Sequence, residues 1–327
     1  MRKFAIGLLL VVSVALHAQD ARFASFEQFV EREMARDRMV GLSVAVLEGD
    51  TLWARGFGHA DLENAVKATE RSSYRMASVT KPMTAVAALK LAEQGKLDLD
   101  ADIRRYVPYF PDKGKTITTR QLLSHLGGIS HYRNYAVEGN IRDPKTTREA
   151  IAIFENFDLV SDPGTKYTYS SYGYNLIGAV IEGATGRAYR EVMQELVWTP
   201  AGMSSTRLDS PTDLIPFRVT GYTLDDGKIR RSDFVDISSR FGGGGTRSTV
   251  IDMVRFAQSI WDGKLLKAET VQSMWWPAQT SAGRFINYGL GFNALPVNGH
   301  YYASHSGSQQ EARTLLMIWP ARKLAIA

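Results

Sequence analysis

The chain has 327 residues, 44% of them hydrophobic, a formal net charge of +5 and no cysteine. Apolar content at that level supports a packed core and excludes a disordered chain, while the missing thiol excludes disulfides, a thiolate nucleophile and a lipid-modified cysteine. The basic residues are scattered, not massed on one helix or in a tail, which argues against nucleic acid as a partner.

Arg2 and Lys3 precede the apolar run Phe4 to Leu16, and His17-Ala18 lead into the polar Gln19-Asp20. That is the layout of a secretory signal peptide over residues 1–18, whose loss would take two basic residues and leave 5 − 2 = +3. The run is short for a bilayer span and no later stretch approaches one. The expectation is a periplasmic or secreted bacterial protein with no stable membrane insertion after signal cleavage.

Phe26, Phe29, Val30 and Met34 recur at helical spacing behind Ser25, a plausible cap, and predict an amphipathic helix to about Asp37. Leu42–Leu47 and Thr51–Gly56 flank Glu48-Gly49-Asp50 as a hairpin. A helix rich in Ala, Leu and Met runs from Met83 to Gln94 and is closed by Gly95. Thr118-x-x-Gln121 and Thr146-x-x-Glu149 read as capping boxes, and Tyr174, Ile177 and Ile181 share one helical face. Gly242–Gly245 reads as a flexible turn, since the residues after it do not complete a phosphate-binding loop. A helix over about Val250–Trp261 follows, then strand-like segments at Tyr301–Ser304, Thr314–Trp319 and Leu324–Ala327. Strand-rich ends around a helical middle predict an α+β fold: one antiparallel sheet built from both termini, with a mostly helical region inserted. The expected division is a single domain over 19–327, with an α/β part at about 24–84 and 241–327 and a helical part at about 85–240.

Three segments carry chemistry. Ser78 and Lys81 stand three positions apart where a helix begins, and no other serine of the chain has a lysine three residues on. On a helix the two side chains share a face, and the unpaired N–H groups of a helix N-terminus suit an oxygen that turns negative during acyl transfer. Lys81 is placed to hold or remove the serine proton. Tyr169 falls where a loop enters the helix of Ile177. A phenol beside an ammonium has its anion favoured, so it could take the serine proton or give one to a leaving group. His305-Ser306-Gly307-Ser308 reads as a sheet edge lining a cleft. Gly307 would let a substrate backbone approach, and the Ser308 N–H could join that of Ser78 in an oxyanion hole.

Together these segments resemble the serine β-lactamase and penicillin-binding protein superfamily, in particular its class C-like group of D,D-peptidases, family VIII esterases and LACTB-like serine hydrolases. The likeness extends over Leu42–Ala327 through Arg75-Met76-Ala77, Leu122–Ile129, Gly243–Thr249 and Tyr288–Gly291. It implies a β-lactamase/transpeptidase-like fold. It makes Ser78 the nucleophile, Lys81 its proton partner, Tyr169 the general base and acid, and His305 the occupant of the K-T-G lysine position. Ser78 and Ser308 would form the oxyanion hole, and Ser171, Ser306 and Gly307 would meet substrate. His125 matches a recurrent position and is expected to hold its loop. No cofactor and no metal is implied; His125 and His131 are close in sequence, but no paired metal-ligand motif accompanies them.

Two residues depart from the group. Ser171 stands where a Tyr-x-Asn motif has asparagine, and His305 stands for a lysine and is largely neutral near pH 7. Both shift the expectation from lactams and D-Ala-D-Ala peptides toward esterase or peptidase chemistry. Leu324–Ala327 ends inside a strand-like run, so a chain cut short at its C-terminus is expected. The implied function is a serine hydrolase that forms an acyl-enzyme on an ester, amide or β-lactam bond of a small molecule or peptide. The alternative is a non-turning penicillin-binding or cell-wall-peptide-binding protein.

Overall fold

In the computed structural model, residues 22–297 and 300–327 are described; the signal-like segment lies outside them. A helix described over 22–36 (α1) leads into the hairpin of β1 (Gly41–Glu48) and β2 (Thr51–Asp61). Its two-residue turn has Gly49 at φ +59°, a conformation that costs glycine little. Ser25 lies inside α1, so it is not the cap the sequence suggests. Short strands β3 (Val66–Lys67) and β4 (Tyr74–Arg75) precede a 3-10 turn, Ala77–Val79, and helix α2 (Thr80–Glu93). The helical region then holds α3 (Thr119–Leu123), α4 (Tyr135–Glu138), α5 (Thr147–Ala152), α6 (Ser171–Thr185) and α7 (Tyr189–Met193). After it come β5 (Arg207–Leu208), β6 (Tyr222–Asp225), β7 (Lys228–Arg231), α8 (Phe241–Gly244), β8 (Thr246–Ser248), α9 (Val250–Trp261) and α10 (Ala268–Trp275). The chain closes with β9 (Asn293–Val297), β10 (His300–Gln309), β11 (Ala312–Trp319) and β12 (Leu324–Ile326).

Among the described residues the main sheet has seven strands in the order β3-β2-β1-β12-β11-β10-β9, and its pairings are antiparallel. The two ends of the chain meet at its centre, where β12 pairs with β1 through Val46–Ile326 and with β11 through Met317–Ile326. The α+β expectation is met, down to a sheet shared by both termini. Alternate residues of β1 face opposite sides. Val44 packs with Val30 and Met34 of α1 and with Trp53 and Phe57, whereas Ala45 and Leu47 join the main core beneath α9.

Both capping boxes form, with Thr118 accepting from the Gln121 N–H and Thr146 from the Glu149 N–H. Helix α2 is buried on all sides from Thr80 to Leu89, which marks a core helix without a solvent face. Burying Met83, Val86, Leu89 and Leu91 contributes about 1.5–3 kcal/mol each relative to exposure, so the start of α2 is held rigidly.

A buried ion cluster ties the strand before that helix to the rest. Asp209 accepts from Arg75 at 2.7 Å, Arg218 at 2.9 Å and Arg247 at 3.0 Å, and Glu311 lies 3.3 Å from Arg75 at the β10–β11 turn. Burial pushes the Asp209 carboxyl up, but Arg247 and Arg75 outweigh it and hold it below the usual carboxylate value. Removing this carboxylate strands buried guanidinium groups. Asp209→Ala is expected to cost about 3–5 kcal/mol in urea unfolding. The wild-type contribution is present above the unfolded carboxyl pKa of about 3.9 and is lost as pH falls through the lower folded value. An unchanged midpoint at pH 7 would show that the cluster does not hold the strand.

Candidate active site

The site lies where the edge of the main sheet meets the start of α2. Strand β9 pairs with β10 only as far as Ser304, so the edge of β10 at Ser306–Ser308 is left uncovered by it. The 3-10 turn that carries Ser78 packs against β10. A Cβ on Gly307 would sit 2.3 Å from Thr314 Oγ1 and 2.6 Å from the Met76 carbonyl. Gly307 therefore lets β10 close upon the chain's own turn; the expectation that it makes room for substrate is corrected to that extent. Ser306 and Ser308 stay exposed on the neighbouring positions. Thr314 Oγ1 donates to the Met76 carbonyl at 2.8 Å and pins the turn.

Ser78 is in the 3-10 turn, partly exposed, directly after Ala77, whose φ of +47° is unusual for a residue with a side chain. Such strain costs about 1–3 kcal/mol and persists where the surroundings enforce it. Lys81 is fully buried one turn on. Its Nζ lies 3.0 Å from Ser78 Oγ, 3.1 Å from Ser171 Oγ and 2.7 Å from the Gly243 carbonyl. Burial without an acid partner drives its pKa well below the usual lysine value. A neutral amine has two N–H donors and one lone pair. The Gly243 carbonyl can only accept, which fixes one donor; Ser171 Oγ can take the second, and the lone pair is left for the Ser78 hydroxyl.

Tyr169 lies at the entrance to α6, where Ser170 caps the helix by accepting from the Gly173 N–H at 2.8 Å. Its hydroxyl faces those of Ser78 and Ser171, and its ring lies 4.8 Å from Lys81 Nζ. Burial raises its pKa well above the ordinary tyrosine value despite the Ser78 hydrogen bond. The expected phenolate beside an ammonium is thus corrected: burial raises the Tyr169 pKa instead of lowering it, and it disfavours the ammonium form of Lys81 as well.

Ser171, read from sequence as a missing substrate amide, is turned inward onto Lys81, and its N–H donates to His131 Nδ1 at 3.2 Å. His125 accepts the Ser170 N–H on Nδ1 at 3.1 Å, and its ring centroid is 4.4 Å from that of Tyr169. It braces the loop that presents Tyr169. His305 is buried in mid-strand, with Nδ1 2.7 Å from the Ser306 carbonyl and Nε2 3.0 Å from Tyr288 Oη. The carbonyl requires a proton on Nδ1, so Nε2 accepts from Tyr288. Burial comes first and, at the low pH where an imidazole would charge, repulsion from a protonated Lys81 second; together they push His305 down to about 3, His131 to about 4 and His125 well below its usual value.

These shifts have a direct readout. The unfolded histidines bind protons below about 6.5 that the folded ones refuse, so stability falls as pH drops from about 6.5 toward the folded values. We expect the NMR signals of His125, His131 and His305 not to titrate between pH 5 and 8, and the urea midpoint to fall between pH 7.5 and pH 5. A His305 signal titrating near 6.5 contradicts this.

The glycine run is the largest site feature that sequence reasoning missed. It is the buried short helix α8, not a flexible turn. A Cβ on Gly242 would lie 2.3 Å from the Tyr174 carbonyl and one on Gly243 2.8 Å from the Ser171 carbonyl. Asn175 orients it, accepting from the Gly243 N–H at 3.0 Å while donating to the Ser239 carbonyl at 2.8 Å. The spacing of Ser171 and Asn175, one helical turn apart, was the available signal.

A half-exposed serine braced by a buried lysine, set between a sheet edge and a helical insertion, defines a protein of the β-lactamase/transpeptidase-like fold. The chain belongs to the Beta-lactamase family, whose model matches residues 26–327. It is 28% identical to the serine beta-lactamase-like protein LACTB, mitochondrial, of Homo sapiens, over 86% of this chain and 68% of that protein. It is 29% identical to the putative penicillin-binding protein PbpX of Bacillus subtilis (strain 168), over 81% of this chain and 64% of that one. The octameric penicillin-binding protein homologue from Pyrococcus abyssi superposes with a TM-score of 0.80 at 26% identity, over 92% of this chain and 72% of that chain. No helix of the described residues is long and apolar enough to cross a membrane.

Proposed function

We propose that the protein is a serine hydrolase that forms an acyl-enzyme on Ser78 and turns over an ester or amide. The observation that carries this is the fully buried Lys81 amine, disfavoured as an ammonium and 3.0 Å from Ser78 Oγ. Lys81 Nζ takes the hydroxyl proton as Ser78 Oγ attacks the carbonyl carbon. The resulting oxyanion is received by the N–H groups of Ser78 and Ser308. The proton returns through the Tyr169 phenol to the leaving oxygen or nitrogen, whose bond to carbon breaks. Water then attacks the acyl-Ser78 ester, gives its proton to Lys81, and Ser78 leaves with that proton restored.

Esters and simple amides are favoured over lactams because burial leaves no cation on His305, and because Ser171 offers a hydroxyl turned onto Lys81 where an asparagine would offer an amide. A short-chain p-nitrophenyl ester, a chromogenic cephalosporin and a D-Ala-D-Ala peptide, assayed side by side, test the reading. Steady ester turnover supports it. A stoichiometric burst with every substrate and no turnover overturns it in favour of a binding protein.

A further inference from the structure

Beside the nucleophile turn, the side chain of Arg240 is buried, 3% exposed, with no ion pair among the described residues. Its Nη1 donates to the side-chain carbonyls of Gln309 and Gln310, each at 3.2 Å, and its Nη2 to the Gly139 carbonyl. The rings of Tyr132 and Tyr135, at 5.9 and 6.0 Å, offset part of the desolvation. The nearby Glu138 is engaged elsewhere, by the Tyr172 hydroxyl and the N–H groups of Arg133 and Asn134. Two donors remain unused: Arg240 Nε and Gln309 Nε2, both buried and without a partner.

Their position relates them to the chemistry. Gln309 directly follows Ser308, and its Oε1 and the Ala77 carbonyl carbon both lie 3.6 Å from where a Cβ of Gly244 would stand. On the other side, the hydroxyl of Tyr132 faces Ser171, which holds Lys81. Burial disfavours charge on Lys81, His125, His131 and His305, and the Arg240 guanidinium faces this wall without a carboxylate partner among the described residues. A buried guanidinium is costly without an anion, and its planar donors match a carboxylate. Gln310 and the exposed Tyr135 cover it from the solvent side, so turning the Gln310 amide aside opens the way and frees Nη1 for a second oxygen.

We propose that Arg240 and Gln309 receive a carboxylate carried by the substrate, which makes the substrates acidic acyl compounds; this rests on the acyl-transfer reading above. The test pairs p-nitrophenyl hydrogen glutarate with p-nitrophenyl methyl glutarate, which share a reactive ester and differ in the charge at the far end. Wild type is expected to favour the acid in kcat/KM by on the order of tenfold or more, since unpaired site donors penalise a substrate that cannot meet them. Arg240→Gln brings the ratio near one, and Arg240→Lys restores part of it. Gln309→Leu lowers it too, and glutarate inhibits the wild-type enzyme competitively where glutaramide does not, so the proposal remains testable should Arg240→Gln not fold. Hydrolysis of both esters at equal kcat/KM, or a preference that survives Arg240→Gln, overturns the inference and leaves the hydrolase reading standing. Hydrolysis of neither overturns both.

Discussion

Ser78→Ala is expected to lower kcat for a p-nitrophenyl ester by on the order of 10⁴-fold or more, to the level that binding and oxyanion donors alone can sustain. The side chain is only partly buried and its loss opens no core cavity, so the unfolding midpoint should stay within the range of a surface change, about 0.5 kcal/mol. The Ala77 strain and the Thr314–Met76 bond are backbone features that do not need the hydroxyl. Loss of activity with retained stability therefore isolates chemistry from folding. Turnover within tenfold of wild type would remove Ser78 from the role of nucleophile.

Lys81→Met separates the two in the opposite sense. Removing the proposed general base should lower kcat/KM by about 10²–10⁴-fold. The variant's stability relative to wild type should rise as pH falls. A buried lysine whose folded pKa is depressed binds fewer protons than the unfolded chain at every pH between that value and about 10.4, at about 1.4 kcal/mol per pH unit. Wild-type stability is thus eroded as pH falls through this window, whereas an apolar residue of similar length is not. The counterweight is the Gly243 carbonyl, which loses its donor at a cost of about 1–3 kcal/mol. The pH dependence is the readout: the midpoint of Lys81→Met relative to wild type should rise as pH falls from about 10.4 toward the depressed Lys81 value. A variant equally active, or one whose stability relative to wild type does not depend on pH, would mean that Lys81 is charged in the native state.

Much of this architecture was legible because local signals agreed with one another. The β1–β2 hairpin carries its positive-φ glycine at the turn, Thr118 and Thr146 announce their helices, and Val250–Trp261 matches α9 residue for residue. The S-x-x-K pair was legible for the same reason: both side chains sit on one helical turn. What sequence could not supply were the contacts made across long separations. Gly243 reaches Lys81 from 162 positions away, and Ser171 from 90. Four glycines look flexible in a row, yet the crowding of Tyr174, Ser171 and Phe241 leaves no room for a side chain at Gly242, Gly243 and Gly245. The Tyr169 charge state was misjudged because pairing with an ammonium presupposed that Lys81 stays charged once buried. Desolvation acts on both groups at once, and only the packed structure shows its extent.

The proposed Ser78–Lys81 pair therefore depends on a low-dielectric pocket more than on any single hydrogen bond. Asn175 fixes Gly243, Gly243 and Ser171 fix the Lys81 amine, and the amine presents its lone pair to a serine kept rigid by strand β10 on one side and α2 on the other. Disturbing any of these should act through the Lys81 pKa and thus shift the acid limb of the pH–rate profile.

The most direct test of this account is intact-mass and peptide-mapping mass spectrometry on wild-type protein quenched in acid during turnover of a p-nitrophenyl ester. The account predicts one acyl group per chain, located on Ser78, absent in Ser78→Ala and formed far more slowly in Lys81→Met. An adduct on another residue, or steady hydrolysis with no covalent adduct under conditions where acylation outruns deacylation, would contradict it.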